Sequence, residues 1–276
     1  MKALISEQRE IVIIAGPKSH GPEDNGIHDY PWDSKLLKVM LDNSNVAKQI
    51  RVRLCLNGWP ADESILADAA CIVIEADGRD GHIGQEALHI ESDDRVRQVD
   101  RMMKRGCGIV VPHFAVFAPH QYEEFVFNWY GGYFDWGTDE HREWYSNIKV
   151  LTAEVQTSSP GHPVLHGVKP FRMTEEFYYN LRFAPADKRL KPLWVVPELE
   201  GREPDGGIVA WACERADGGR GVGTSCGHYH ENFQMEDYRT FFLNAIVWAA
   251  GVEIPAEGVK ASFYDRDAIA RALARG

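Results

Sequence analysis

The stretch RGCGIVVPHF, residues 105–114, contains the end of a predicted helix, a buried strand and a polar turn. The helix is predicted over Arg95–Arg105 and ends at Gly106, because glycine commonly follows the last helical turn. The run Ile109–Val111 is short, apolar and β-branched, which is typical of a strand covered on both faces. This order of helix, strand and polar turn is characteristic of a parallel sheet with helices on both sides.

The same alternation continues along the chain and predicts an α/β fold. The predicted strands are Ile11–Ala15, Arg51–Leu56, Cys71–Ala76, Lys149–Val155, Leu193–Val196, Gly207–Ala212 and Gly221–Cys226. Helices are predicted around Leu36–Leu41, at Glu63–Ala69 and at Asp237–Ala250. We therefore predict a doubly wound parallel sheet in three α/β/α layers, as one domain spanning residues 1–276. Residues 114–147 form an aromatic-rich excursion from it, and residues 252–276 a C-terminal extension.

Composition narrows the functional class. The chain has 276 residues and a formal net charge of -11, which disfavours binding to nucleic acid because the phosphates would be repelled. Its five cysteines lack metal-binding spacing and lie mostly in apolar runs, so we expect reduced core residues. No apolar run is long enough for a signal peptide or a membrane span. These features predict a cytoplasmic protein with no membrane contact and a small polar substrate.

Titratable side chains follow four of the predicted strands. Lys18 and His20 come after the first strand, and Asp77, His113 and His228 come after three others. In an open α/β sheet, ligands bind beyond the carboxyl ends of the strands. We therefore expect one site assembled from four loops.

Eight motifs, in order along nearly the whole chain, carry a family resemblance. They are KSHG (18–21), DG (77–78), PHFAVF (112–117), WYGGYF (129–134), GHPVLHGV (161–168), TEEFYYNLRF (174–183), GHYHENF (227–233) and LNAIVWAAGVEIP (243–255). With these motifs the chain resembles the trehalose-utilisation (ThuA-like) family. The resemblance implies a flavodoxin-like sheet similar to that of class I glutamine amidotransferases. It also implies a role in using trehalose or other disaccharides, through 3-keto-sugars made by a partner sugar dehydrogenase.

The glutaminase chemistry of the amidotransferases is not expected here. That reaction needs a cysteine on a sharp turn between strand and helix, and His113 stands at the equivalent turn. Cys107 precedes the strand and lies at its opposite end. We therefore predict that no cysteine acts as a nucleophile.

Histidines at three strand ends suggest a divalent metal site instead. His20, His113 and His228, with an acid from Glu175 or Glu176, would provide ligands suited to zinc. The alternative is that some of these imidazoles only hydrogen-bond loop carbonyls. The remaining histidines without motif support are expected at the surface, although two of them lie near the site loops. These histidines are His28, His82, His89, His120 and His141, with His28 and His82 near the loops.

The other candidate residues have catalytic or binding roles. His230 or Glu176 is the predicted base, with Asp77 and Tyr178 as further catalytic residues. Substrate binding is assigned to Lys18, Tyr130, Tyr133, Trp136 and Asn180. Two interpretations of the aromatic residues remain open, a sugar subsite and the filling of a core or subunit interface.

These expectations predict an enzyme of carbohydrate catabolism. A carbonyl at C3 of a sugar acidifies the hydrogen at C2, so a lyase, isomerase or hydrolase step on a disaccharide or 3-keto-glycoside fits the site. The alternative is a non-catalytic sugar-binding or accessory protein that uses the same cleft. A homo-oligomer is compatible with either interpretation.

Overall fold

The computed structural model describes residues 8–79, 87–135, 143–202 and 204–274. The strands are β1 Arg9–Ala15, β2 Ile50–Cys55, β3 Cys71–Glu75, β4 Gly108–Pro112, β5 Gly132–Tyr133, β6 Asn147–Thr157, β7 Phe171–Tyr179, β8 Arg182–Phe183, β9 Leu190–Val195, β10 Ile208–Glu214 and β11 Arg220–Thr224. The helices are α1 Tyr30–Asp42, α2 Asp93–Lys104, α3 Glu123–Trp129, α4 Glu236–Ala249 and α5 Arg266–Leu273.

The main sheet has nine strands in the order β2-β1-β3-β4-β11-β10-β9-β6-β7. The first five are parallel and follow the flavodoxin-like order. The last four run antiparallel to their neighbours. The parallel half confirms the predicted fold class. The antiparallel half was not predicted, because an apolar run indicates a strand but not the direction of its partner.

Helices cover both faces of the sheet. Alternate residues of β1 point into two separate cores, with Ile11 and Ile13 in one and Val12 and Ile14 in the other. Helix α1 packs against β1, β2 and β3, and α4 packs against β3, β4 and β11 on the same face. Buried residues of α2 and α3 belong to the opposite core. The three-layer arrangement is therefore confirmed.

The aromatic excursion folds onto the second core. Trp129, Tyr130, Tyr133 and Phe134 are all fully buried there. This placement favours the core interpretation for these four rings. Trp136 lies outside the described residues.

Two shorter segments differ from expectation. The predicted helix Glu63–Ala69 is a single 3₁₀ turn at Glu63–Leu66. The C-terminal extension contains α5, which packs against α1. Short polar helices have a weak apolar period, so the sequence pattern gives little indication of either.

Candidate metal centre

Four side chains bring their ligand atoms together at the carboxyl edge of the parallel strands. His28 Nε2 lies 2.9 Å from His228 Nδ1 and 3.0 Å from His113 Nε2, and these last two atoms are 3.1 Å apart. Glu176 Oε2 lies 3.3 Å from His228 Nδ1 and 3.6 Å from His113 Nε2. Three nitrogens and one carboxylate oxygen therefore surround a single point.

These spacings fit a tetrahedral metal ion. Zinc–nitrogen bonds of about 2.0–2.1 Å place tetrahedral ligand atoms roughly 3.3 Å apart. The five distances above, from 2.9 to 3.6 Å, bracket that value. Three converging imidazole nitrogens cannot all be satisfied by hydrogen bonds to one another, because each bond needs one donor and one acceptor. A shared cation would satisfy all three, and the nitrogen-rich donor set suits zinc.

Unusual backbone conformations orient two of the three histidines. His113, directly after β4, has φ 45°, and His28 has φ 46°. Gly227 has φ 135°, and a Cβ there would lie 3.0 Å from the Cβ of His113. His113 therefore occupies a strained backbone turn directly after β4.

Hydrogen bonds around the ligands set their tautomers. His113 Nδ1 donates to the carbonyl oxygen of Ser225 at 2.7 Å, which leaves Nε2 free to coordinate. His28 Nδ1 lies 3.0 Å from the Tyr30 hydroxyl and 3.7 Å from Asp77. Asp77 in turn accepts hydrogen bonds from Tyr30 at 2.5 Å and from Ser19 at 2.6 Å. Partners of this kind orient metal ligands and tune their basicity.

Burial and neighbouring charges favour the protonation states that bind metal. Burial lowers the pKa of His28, and burial together with His28 and His228 lowers the pKa of His113 well below its usual value. Burial alone would raise the pKa of Glu176, but its hydrogen bond with His228 and the other neighbouring groups outweigh burial and lower that pKa. Neutral imidazoles and an ionised carboxylate are the forms that coordinate a cation.

Glu175 connects two ligand-bearing segments. Its carboxylate is fully buried and accepts hydrogen bonds from the backbone N–H of Gly227 at 3.2 Å, Asn232 Nδ2 at 3.1 Å and the Tyr238 hydroxyl at 3.3 Å. Its other oxygen accepts from the N–H of Glu176 at 2.9 Å. Burial raises its pKa to about 7. Glu175 thus ties the loop that carries His228 to β7, which carries Glu176.

Several predicted site residues meet at this centre. His113, His228 and Glu176 are three of its four candidate ligand groups, and the Tyr178 hydroxyl oxygen lies 2.8 Å from His113 Nε2. His20 is exposed and lies outside the cluster of four side chains. Its Nδ1 is 2.9 Å from His28 Nδ1. Asp77 lies on the same side, next to His28.

His28, expected at the surface, converges with His113, Glu176 and His228, whereas the predicted ligand His20 groups with His28 and Asp77 instead. His28 is only 3 % exposed, and His89, which was also expected at the surface, is fully buried. His82 and His141 lie outside the described residues. The loop after β1 turns back towards the sheet edge, and Ile27 forms a β-bridge with Tyr229 that places His28 beside His228. In the sequence, His28 could have been identified as a site residue only from its position in a histidine-containing loop after a strand. The return path of that loop could not be read from the sequence.

Other predicted residues have structural contacts elsewhere. His230 Nδ1 bonds Asp33 at 2.5 Å, so its ring does not join the cluster. Lys18 Nζ donates to the carbonyl oxygens of Ser19 and Ile27 and holds its own loop in shape. The side chain of Asn180 bonds Asn147 Oδ1 and the N–H of Arg202.

The two predicted sugar-binding tyrosines are enclosed in the core. Tyr130 and Tyr133 are each 0 % exposed. The Tyr133 hydroxyl donates to Glu123 at 2.9 Å, and the carbonyl oxygen of Tyr130 accepts from Trp211 Nε1. Neither ring presents a face to a bound sugar in this conformation.

In the described part of the chain, helices are too short or too polar to cross a membrane.

Comparison with known proteins decides the family. The family model described as "ThuA: Trehalose utilisation" matches residues 62–249. The chain belongs to the ThuA family. The match includes Asp77, His113, Glu176 and His228, whereas His28 precedes it. No curated protein matches the sequence.

Solved structures support the same fold at low sequence identity. A ThuA-like protein from Parabacteroides merdae has a TM-score of 0.61 and 17% identity, over 95% of this chain and 99% of that one. A ThuA-like protein from Bacteroides uniformis has a TM-score of 0.59 and 15% identity, covering 87% and 91%. Cytoplasmic protein STM1381 from Salmonella typhimurium has a TM-score of 0.54 and 14% identity, covering 87% and 99%.

Proposed function

We propose that this ThuA-family chain is a zinc-assisted enzyme of carbohydrate catabolism that acts on a disaccharide or 3-keto-glycoside by a lyase, isomerase or hydrolase step. The convergence of His28, His113, His228 and Glu176 on one point carries the proposal. The family's link to trehalose utilisation supports a sugar substrate. A 3-keto substrate would require a partner dehydrogenase that oxidises the sugar at C3 first.

The four ligand groups would hold the ion, and the ion would supply Lewis-acid polarisation of a substrate carbonyl. That polarisation makes the hydrogen on the neighbouring carbon more acidic, so a nearby base can remove it. The electron pair of the broken C2–H bond then forms a C1=C2 double bond as the C1–O bond breaks. The C3 carbonyl is retained, and the oxygen of the departing sugar takes up a proton from the protonated base or from Tyr178.

Asp77 is the base in this proposal. Burial would raise its pKa, but the neighbouring His28 imidazole and the hydrogen bonds from Ser19 and Tyr30 outweigh burial and lower that pKa, so the carboxylate is ionised. Its side chain is 20% exposed, and it lies next to His28. Asp77 replaces the earlier candidates because Asp33 holds His230 away from the centre and Glu176 belongs to the ligand set.

Tyr178 provides a neutral donor beside the ligands. Burial and the charge of Glu176 raise the pKa of Tyr178 well above its usual value, so the hydroxyl keeps its proton. It lies 2.8 Å from His113 Nε2 and 3.2 Å from Glu176 Oε2. From there it can donate a hydrogen bond to a substrate oxygen.

The test is to incubate zinc-loaded protein with 3-keto-trehalose and other 3-keto-glucosides and to follow the products by NMR. We expect turnover that chelation abolishes and that Asp77→Asn reduces by about 10²-fold or more, as expected for loss of a general base. Full activity after chelation would contradict the role of the metal. Sugar binding without turnover of any keto-glycoside would favour the non-catalytic alternative.

A further inference from the structure

A cleft of about 650 Å³ lies beside the metal centre but contains none of its four ligand groups. It is formed where the loop around Gly26 meets the loop around Tyr229 and the segment before α5. The lining residues used in the argument are Ile27, Trp32, Tyr229, His230, Phe263 and Arg266.

His230 lines this cleft, and one of its two ring nitrogens has no hydrogen-bond partner in the described residues. Its Nδ1 bonds Asp33, and its ring stacks on Trp32 with centroids 3.6 Å apart, so the ring plane is held from two directions. The other nitrogen, Nε2, is buried and has no hydrogen-bond partner in the described ranges. Buried polar atoms without a partner are uncommon and call for a ligand or a water molecule. A hydroxyl group suits this position because it can both donate and accept.

The walls of the cleft suit a neutral polyhydroxy ligand. Tyr229 and Phe263 offer aromatic surface of the kind that packs on the C–H faces of sugars. The charged lining residues are Asp24, Glu231, Asp265 and Arg266. Arg266 already pairs with Asp24 and covers the ring of Trp32 at 3.6 Å. The remaining negative charge would repel a phosphorylated sugar.

The cleft adjoins the metal centre along the chain. Tyr229 separates His228 of the centre from His230 of the cleft and has an extended backbone, with φ −106° and ψ 115°. Two extended residues span about 6.6 Å. The Tyr229 ring also contacts the His228 ring, with centroids 4.5 Å apart.

We propose that this cleft is a subsite for a neutral sugar ring, namely the ring of the disaccharide that does not react at the metal centre. The assignment of the ligand as a disaccharide rests on the proposed function. The binding itself requires only the cleft, so it can be measured without turnover.

The experiment is calorimetric titration of the purified full-length protein with trehalose and with trehalose 6-phosphate. We expect saturable binding of trehalose and much weaker binding of the phosphate. Phe263→Ala should weaken trehalose binding about five- to thirtyfold, as loss of an aromatic contact does. Tyr264→Ala is the matched control, because this neighbouring ring lines a different cavity, and its affinity should match that of the unmodified protein.

A second variant keeps the test decisive if Phe263→Ala fails to fold. Tyr229→Leu, at a partly exposed position, should weaken trehalose binding in the same way while metal content stays unchanged. Wild-type affinity in both variants, no saturable trehalose binding, or preference for the phosphate would overturn the subsite. Turnover of keto-glycosides with unaltered binding in both variants would reject the subsite alone. Variant-sensitive trehalose binding without any turnover would reject only the proposed enzyme.

Discussion

His28 and His113 both hold positive φ angles, 46° and 45°, in a region that non-glycine residues rarely occupy. Such conformations cost about 1–3 kcal/mol each and persist only where surrounding contacts enforce them. Here the contacts are the Ser225 carbonyl on His113 and the Tyr30 hydroxyl beside His28. These two strained positions carry two of the four proposed ligands, and strained backbone is common at functional sites.

The role of His28 can be separated from that of its neighbour His20. His28→Ala should remove most of the bound zinc, because it deletes one of three converging nitrogens. His20→Ala should retain zinc near the wild-type stoichiometry, because His20 Nδ1 lies beside Ser19 Oγ and His28 Nδ1, on the side of the His28 ring away from the cluster. Elemental analysis of both purified variants checks this. Loss of zinc in His20→Ala with retention in His28→Ala would reverse the assignment.

The pH dependence of zinc binding follows from the lowered pKa values of His28 and His113. A lowered folded-state pKa keeps the imidazole neutral until the pH falls below 6.5, the usual value. Protons should therefore compete with zinc at these two nitrogens only at lower pH than at exposed histidines. Chelator-competition titrations at stepped pH should show affinity beginning to fall below pH 6.5. A fall in zinc affinity that is centred above pH 6.5 would contradict the lowered pKa values of His28 and His113.

The same shifts affect stability in the absence of metal. The unfolded histidines accept protons below about pH 6.5, whereas the folded ones do not until lower pH, so stability is highest above that pH and decreases as the pH falls.

Glu175 should act on metal affinity through position rather than coordination. Glu175→Gln keeps its size but replaces one acceptor oxygen by a donor, so it cannot satisfy all the groups around it. We expect zinc affinity to fall about 10- to 100-fold, as for other partners of metal ligands. Glu253→Gln, at an exposed position, is the control. If calorimetry shows the same zinc affinity in Glu175→Gln as in the unmodified protein, then Glu175 is not needed to hold the loop that carries His228.

At the scale of elements, the aromatic segment is part of the second core. Tyr133→Ala should lower the free energy of unfolding by about 3–5 kcal/mol, because it removes a fully buried ring. Val150→Ala, at a residue that is 56% exposed, should change it by less than about 0.5 kcal/mol. Urea denaturation measures both. A stable Tyr133→Ala variant with weakened sugar binding would restore the subsite interpretation.

The apolar strands were predictable because their burial on both faces leaves a continuous run of β-branched residues. The run Ile109–Val111 lies inside β4, and Cys71–Ala76 contains β3. β7 was not predicted as a strand, because the buried Glu175 interrupts the alternation of apolar and polar side chains that indicates a half-buried strand. Local patterns of this kind carry little information about which strands pair or in which direction.

At the scale of the whole molecule, the candidate metal centre draws its side chains from both halves of the sheet. His28, His113 and His228 come from loops around the parallel strands, and Glu176 comes from antiparallel β7. His113 and His228 were predictable because each follows an apolar strand. His28 and the position of His230 were not, because they depend on how the loop around Ile27 pairs with the loop around Tyr229.

The most direct test of the metal centre is anomalous diffraction at the zinc edge from crystals of zinc-loaded protein. We predict one strong peak bounded by Nε2 of His28, Nε2 of His113, Nδ1 of His228 and Oε2 of Glu176. Bond lengths should be about 2.0–2.2 Å. A map with no peak there, or with zinc bound only at surface carboxylates, would contradict the account.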